Sequence, residues 1–309
     1  MTEIPSNRPG VQTVSKETPL EEIIAILKRD GCLVVKELVS PADVDQVNQD
    51  VQERLHRDLE WNGSFFPKET RRAPSMIALS PTYTRTQVMN PLFQAVCAHF
   101  LTTRSVFWWG DQQKESVSKP YVTSCTGIEV GPGAQAQPLH RDSYINHNIL
   151  PEIEAWDDER DQTRETALGM MVAGCKVTKE NGGTQFILGS HFWGTHRTTP
   201  PDVRDCVVAE LDKGDALLMF SSLYHGGGAN TSREERRIAY ATFAVRGYLR
   251  QEENQYLAVP REVVQRYDHA TQRFIGYSMS DPACGYVEEL SPFYLLHPEL
   301  LQDARPQDF

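Results

Sequence analysis

Apolar side chains in the first third of the chain recur at helical spacing. In LEEIIAILKRDG, Leu20, Ile23, Ile24 and Leu27 share one face, acidic residues come early and Gly31 closes the run as a C-cap. The following CLVVKELV is a β-branched run of strand length. SPADVDQVNQDVQERL then predicts a second helix, with Ser40 as N-cap and Pro41 at the first helical position. An aromatic, turn-rich stretch from Trp61 to Pro67 precedes a third helix, NPLFQAVCAHFLT, that begins at Asn90 or Pro91. Residues 1–18, rich in Pro, Ser, Thr and Asn, lack periodicity and are expected to form a flexible tail. Residues 19–309 are then a single domain.

From Tyr121 the texture changes. Short runs, YVTSCTGIEV, ALGMMVAGCKV, GTQFILG, DALLMFSS and RIAYATFAV, are separated by Gly, Asp, Asn and Pro turns. Such punctuation predicts an antiparallel sandwich or barrel. The acidic interruption from Asn146 to Glu165 reads as a surface loop or lid. Beyond Gln251, PREVVQRYDHATQRFIG is one helical stretch and SPFYLLHPELL an aromatic closing segment. That segment, from about Ser291, is expected to cap the pocket mouth of a neighbouring subunit in a homodimer.

The 309 residues, 39% hydrophobic and 24% charged, suffice for a full-sized core. With 42 acidic against 31 basic residues the formal charge is −11, which excludes a binder that tracks nucleic-acid phosphates. A neutral or cationic small-molecule substrate is easier to accommodate. No apolar run approaches the ~20 residues needed to span a bilayer, and the opening stretch has no hydrophobic signal core, so a cytoplasmic protein is expected. Cys32, Cys97, Cys125, Cys175, Cys206 and Cys284 lack C-x-x-C pairing and are read as reduced and mostly buried.

The chemistry concentrates in AQAQPLHRDSYINH. His140 and Asp142 are separated by one residue, so on extended backbone both project from one face. A strand-like run ends at His225, followed by three glycines that permit close approach of backbone or ligand. Two imidazoles and a carboxylate make the facial set that leaves three positions open on a ferrous ion, as oxygen chemistry requires. Arg236 follows eleven residues after His225, and its fork could pair with the distal carboxylate of a metal-chelating dicarboxylate. Arg237 competes, because adjacent strand residues face opposite ways. Arg236 is favoured, but the register is open.

These residues, together with the phrases AQPLHRD, TKENGGTQFILGSH and GDALL, resemble the phytanoyl-CoA dioxygenase-like family of iron(II)/2-oxoglutarate oxygenases, in particular fungal natural-product members. The resemblance runs from about residue 20 to LAVPREVV. It implies a mainly β protein with flanking helices, built on a double-stranded β-helix, the cupin-like jelly roll. It also implies iron(II) on His140, Asp142 and His225, and 2-oxoglutarate on Arg236 with help from Gln137, from Arg72 or its neighbour Arg71, and from Thr166. O₂ would be the co-substrate, and a polycyclic meroterpenoid or alkaloid the target. Retention of Asp142 disfavours halogenation, for which relatives vacate the carboxylate position. The competing readings are a metal-dependent, non-redox isomerase or lyase on the same ligands, and a non-catalytic jelly roll whose histidines merely pack.

Other residues receive plainer readings. His191 is expected to be a hydrogen-bonded turn histidine, and His147 and His196 solvated or adjacent to the site. Asn181, Gly182 and Gly183 mark a tight turn. The pairs Trp108–Trp109 and Phe65–Phe66 are expected in the core rather than in a pocket.

Overall fold

A computed structural model describes residues 10–57 and 62–304; most of the expected tail, and Trp61, lie outside the described residues. The N-terminal reading holds closely. Leu20–Asp30 (α1) ends at Gly31 with φ +83°, and its Ile23, Ile24 and Leu27 are buried. Pro41–His56 (α2) follows Ser40, whose side chain accepts from the Asp43 amide. After the short helices Met76–Leu79 (α3) and Pro81–Tyr83 (α4), Pro91–Leu101 (α5) begins at Asn90, whose side chain accepts from the amides of Leu92 and Phe93. Part of the expected tail is ordered, because Thr13–Ser15 (β1) pairs in parallel with Cys32–Lys36 (β2).

Three further strands are short or exposed and have no sequence signal of their own: Thr70–Ala73 (β3), and Thr103–Trp109 (β4) paired with Gln112–Ser118 (β5). The expected strands follow as Tyr121–Val130 (β6), Ala167–Ala173 (β7), Thr184–Phe186 (β8), Ala216–Phe220 (β10) and Arg237–Val245 (β12), joined by two short unexpected strands, Val207–Val208 (β9) and His225–Gly227 (β11). They form a seven-stranded sheet, β1-β2-β10-β7-β12-β6-β3, opposed by a three-stranded one, β11-β8-β9. This is the mainly β, jelly-roll architecture with flanking helices.

Alternation sorts the large sheet into two faces. Leu33 and Val35 of β2, Met170 and Val172 of β7, and Leu218 and Phe220 of β10 pack in the same core as Ile23, Val47 and Phe93 of the helices. Cys32, Val34, Leu217 and Met219 point the other way and pack with Phe186 of the small sheet. Both faces of β10 are covered, so its sequence is apolar throughout rather than alternating.

Trp108 and Trp109 are not core residues: they are 68% and 46% exposed on the β4–β5 hairpin. The stretch from Asn146 to Glu165 is irregular but fastened. Trp156 stacks on Phe220, Arg164 donates to the carbonyls of His191 and Pro151, and Arg246 to those of Glu165 and Gln162. After a short helix Gln255–Ala258 (α6), the expected single C-terminal helix is divided into Arg261–Val264 (α7) and His269–Ile275 (α8), since Asp268 caps α8 by accepting from the Thr271 amide. The closing segment docks on its own chain, where the Phe293 ring meets His269 and His297 bonds Gln272.

His191 is buried and its Nε2–H donates to the Lys28 carbonyl, while His147 and His196 are exposed. Burial pushes the His191 imidazole down to about 4, against an unfolded value near ~6.5. Between those values the unfolded chain binds more protons, so this residue makes stability rise with pH across that window. In His191→Gln the urea-derived stability should change less between pH 4 and 6.5 than in the native chain; an unaltered slope would refute the assignment. Phe220→Ala should cost about 3–5 kcal/mol, whereas Trp108→Ala should stay within about 0.5 kcal/mol, by the same unfolding measurement.

Candidate metal centre

The segment before Asp142 and the segment after His225 run antiparallel as a broken ladder. His140 and His225 exchange both backbone hydrogen bonds, each 2.9 Å. This is an isolated bridge rather than the expected strand. Arg141 between the ligands is extended, so His140 and Asp142 do project the same way before Asp142 opens the 3-10 turn Asp142–Asn146. The glycines after His225 fit the close approach. A Cβ on Gly227 would lie 2.9 Å from Gln137 Oε1, and one on Gly228 would lie 2.7 Å from the Gly183 carbonyl.

The three side chains converge. Asp142 Oδ1 is 3.6 Å from His140 Nε2 and its Oδ2 is 3.5 Å from His225 Nε2; one donor atom from each residue lies within 4.8 Å of the others. Each imidazole is held in one tautomer by a carbonyl. The Nδ1–H of His140 donates to Pro138 at 2.8 Å and that of His225 to Leu223 at 3.0 Å, which directs both Nε2 lone pairs at Asp142. Asp142 Oδ2 is buried without a hydrogen-bond partner. Packing would raise the Asp142 carboxyl, but His225 and His140 outweigh it and hold it low. An orphaned buried carboxylate oxygen facing two imidazole lone pairs fits a divalent cation better than any partner the chain provides.

A cavity of about 950 Å³, counting the open solvent at its mouth, opens beside these residues, between the two sheets. Its large-sheet wall is the inner face of β6 and β12: Ser124, Thr126, Ile128 and Val130 on one strand, Arg237, Ala241 and Phe243 on the other. Phe65 and Phe66 also line it, Phe65 edge-on to the His140 ring at 4.8 Å, so this pair belongs to the cavity and not the core.

The arginine expectation is corrected. Arg236 points outward, with Nη1 3.0 Å from Glu129 and a side chain 42% exposed. Arg237 opens β12 on the inner face, is 3% exposed and lines the cavity. Burial lowers its guanidinium to about 10. Arg246, also buried, is bonded very differently. Arg246 donates to Glu165, Leu101, Phe100 and Gln162 carbonyls and to Thr103 Oγ1, so its fork is spent on the fold. Arg237 makes one bond, from Nη2 to the Gly182 carbonyl at 2.5 Å, and its buried Nε has no partner. Its remaining donors suit a carboxylate.

The three helpers divide. Gln137 lines the cavity with Oε1 accepting from the Gly227 amide at 2.8 Å. Arg72 lies opposite Ile128 in the ladder, with its guanidinium over Phe66 at 5.1 Å. Thr166 immediately precedes β7 and is not among the cavity-lining residues, so its expected role is withdrawn.

The chain matches the Phytanoyl-CoA dioxygenase (PhyH) family over residues 27–238. Among curated relatives it is 36% identical over 282 residues to dioxygenase himG of Aspergillus japonicus, covering 88% of this chain and 86% of the relative. It is 35% identical over 303 residues to dioxygenase cnsJ of Penicillium expansum, covering 96% and 86%. The chain therefore belongs to the phytanoyl-CoA dioxygenase family and is an oxygenase of that family. Its fold is shared with the solved α-ketoglutarate-dependent epimerase SnoN of nogalamycin biosynthesis, at TM-score 0.54 and 18% identity over 74% of this chain and 83% of that one. It is also shared with HygX of Streptomyces hygroscopicus, solved with nickel and 2-oxoglutarate bound, at TM-score 0.52 and 17% identity over 75% and 89%. Among the described residues no helix is long and apolar enough to cross a membrane.

Calorimetric titration with Ni(II) should show one site per chain. Asp142→Ala should weaken it by more than ~100-fold, because loss of an outer partner alone costs roughly 10–100-fold. Near-native affinity in that variant would remove the triad assignment.

Proposed function

We propose that the protein is an iron(II)/2-oxoglutarate-dependent dioxygenase that oxidises a largely apolar, polycyclic secondary metabolite of the meroterpenoid or alkaloid type. The observation that carries this reading is the placement of a facial His140–Asp142–His225 set and a buried, under-satisfied Arg237 in one cavity. Bound iron, with 2-oxoglutarate and O₂, supplies oxidative decarboxylation to succinate and CO₂ and the power to remove a substrate hydrogen atom.

The chain's own residues arrange this chemistry. His140, Asp142 and His225 would hold the metal from one side and leave its other side toward the cavity. Arg237 would fix the distal carboxylate of 2-oxoglutarate, and the Gly182 carbonyl already orients its fork. Gln137 braces Gly227 through its Oε1, which keeps the two ligand-bearing segments in register. Phe65, Phe66, Met171, Ala241 and Phe243 give the cavity apolar walls that exclude water and grip a hydrocarbon skeleton.

Succinate release should match substrate oxidation one for one, and its absence would favour the non-redox reading. Arg237→Ala should raise the KM for 2-oxoglutarate by thirtyfold or more, the roughly 2–5 kcal/mol cost of truncating one member of a buried charge pair. Arg236→Ala should change it by less than about threefold, as for an exposed pair. The reverse order would overturn the assignment.

A further inference from the structure

The register of β6 against β12 sets the charged groups of the cavity along a line. Arg237 pairs with Val130, Ala241 with Thr126 and Phe243 with Ser124. Six residues of strand from Val130 to Ser124 correspond to about 20 Å. At the Ser124 end, Ser124 Oγ donates to Glu252 Oε2 at 2.9 Å, and Glu252 lines the same cavity. Among the described residues this hydroxyl is the carboxylate's only hydrogen-bond partner, and no cation pairs with it. The remaining cation on this sheet face, Arg72, lies opposite Ile128, nearer the Arg237 end.

The electrostatics run with the geometry. Burial raises the Glu252 carboxyl above its usual range, with Ser124 opposing and the negative charge of Asp142 adding to it. Glu252 is exposed to solvent at the rim of the cavity, whose lining also includes Ile145 and Phe243. A dicarboxylate held at Arg237 would occupy the positive end, and the Glu252 carboxylate, which feels the charge of Asp142, marks the other end of the β6 wall.

Resting on the oxygenase reading, we propose that Glu252 is a specificity-determining residue that binds a protonated amine of the substrate, so that the substrate is a basic, nitrogen-containing apolar compound. Glu252 anchors the nitrogen, and the Phe and Ile side chains hold the carbon skeleton against the metal centre.

The test uses the full chain loaded with Ni(II) and 2-oxoglutarate, titrated calorimetrically with tryptamine and 2-phenylethylamine and with their uncharged counterparts tryptophol and 2-phenylethanol. The native protein should bind at least one amine fivefold or more tighter than its alcohol. Glu252→Gln, which keeps an acceptor for Ser124, should bring that ratio within twofold of unity while alcohol binding stays within twofold. Equal binding of every pair, including no binding of any, overturns the proposal, as does a preference that persists in Glu252→Gln. The oxygenase reading is checked separately by the visible charge-transfer band of the native protein with Fe(II) and 2-oxoglutarate under anaerobic conditions. Its absence defeats that reading; its presence with equal amine and alcohol binding defeats only this one.

Discussion

Two backbone hydrogen bonds exchanged between His140 and His225 hold the site together. In an antiparallel hydrogen-bonded pair the Cα atoms are only about 5.5 Å apart, so residues 85 positions apart in the chain present their rings to one point. The ladder around this bridge is intermittent. Its other rungs are the Gln137 amide to Gly227, the Gly133 amide to Asn230 and the Asn230 amide to Ala134. Only a segment free of β-carbons can come this close, and Gly226 to Gly228 provide it. The carbonyls of Pro138 and Leu223, two residues before each histidine, then fix both tautomers.

The two faces of the large sheet have different tasks. The outer face is covered by α1, α2 and α5 with apolar side chains throughout, which makes the sheet a rigid support. The inner face is dry only toward β2 and β10 and becomes polar along β6 and β12, where a ligand rather than the protein must complete the contacts. The two buried arginines of β12 and the residue after it show the same division. Arg246 is saturated by carbonyls and ties the irregular Asn146–Glu165 stretch to α5, whereas Arg237 keeps donors in reserve at the cavity. A desolvated guanidinium with donors unmade is costly, which is why Arg237 rather than Arg246 carries the proposed carboxylate contact.

Much of this was legible in the chain. The first helices were readable to the residue because Ser40, Asn90 and Gly31 are local signals that act within one turn. The strands from Tyr121 onward showed as apolar runs between turns, and H-x-D with a distant His-Gly-Gly pointed to metal. The exposed β4–β5 hairpin was missed and its tryptophans misread as core, because an aromatic residue carries no mark of which way its strand faces. Arg236 was preferred to Arg237 for a related reason. Both Tyr240 and Ala241 are buried, on opposite faces of β12, so apolarity there cannot set the phase.

By itself, therefore, the sequence determined whatever depends on neighbours within a few residues: the helix caps, the strand runs, the identity of the ligand side chains and the family they resemble. Tertiary structure alone decided which face each strand turned inward, and so which arginine enters the cavity, that Thr166 does not line it, and that Glu252 stands at the opposite end from Arg237. The physical reason is the two-residue period of a strand. A shift of one residue exchanges its faces, and only contacts with distant segments choose between them.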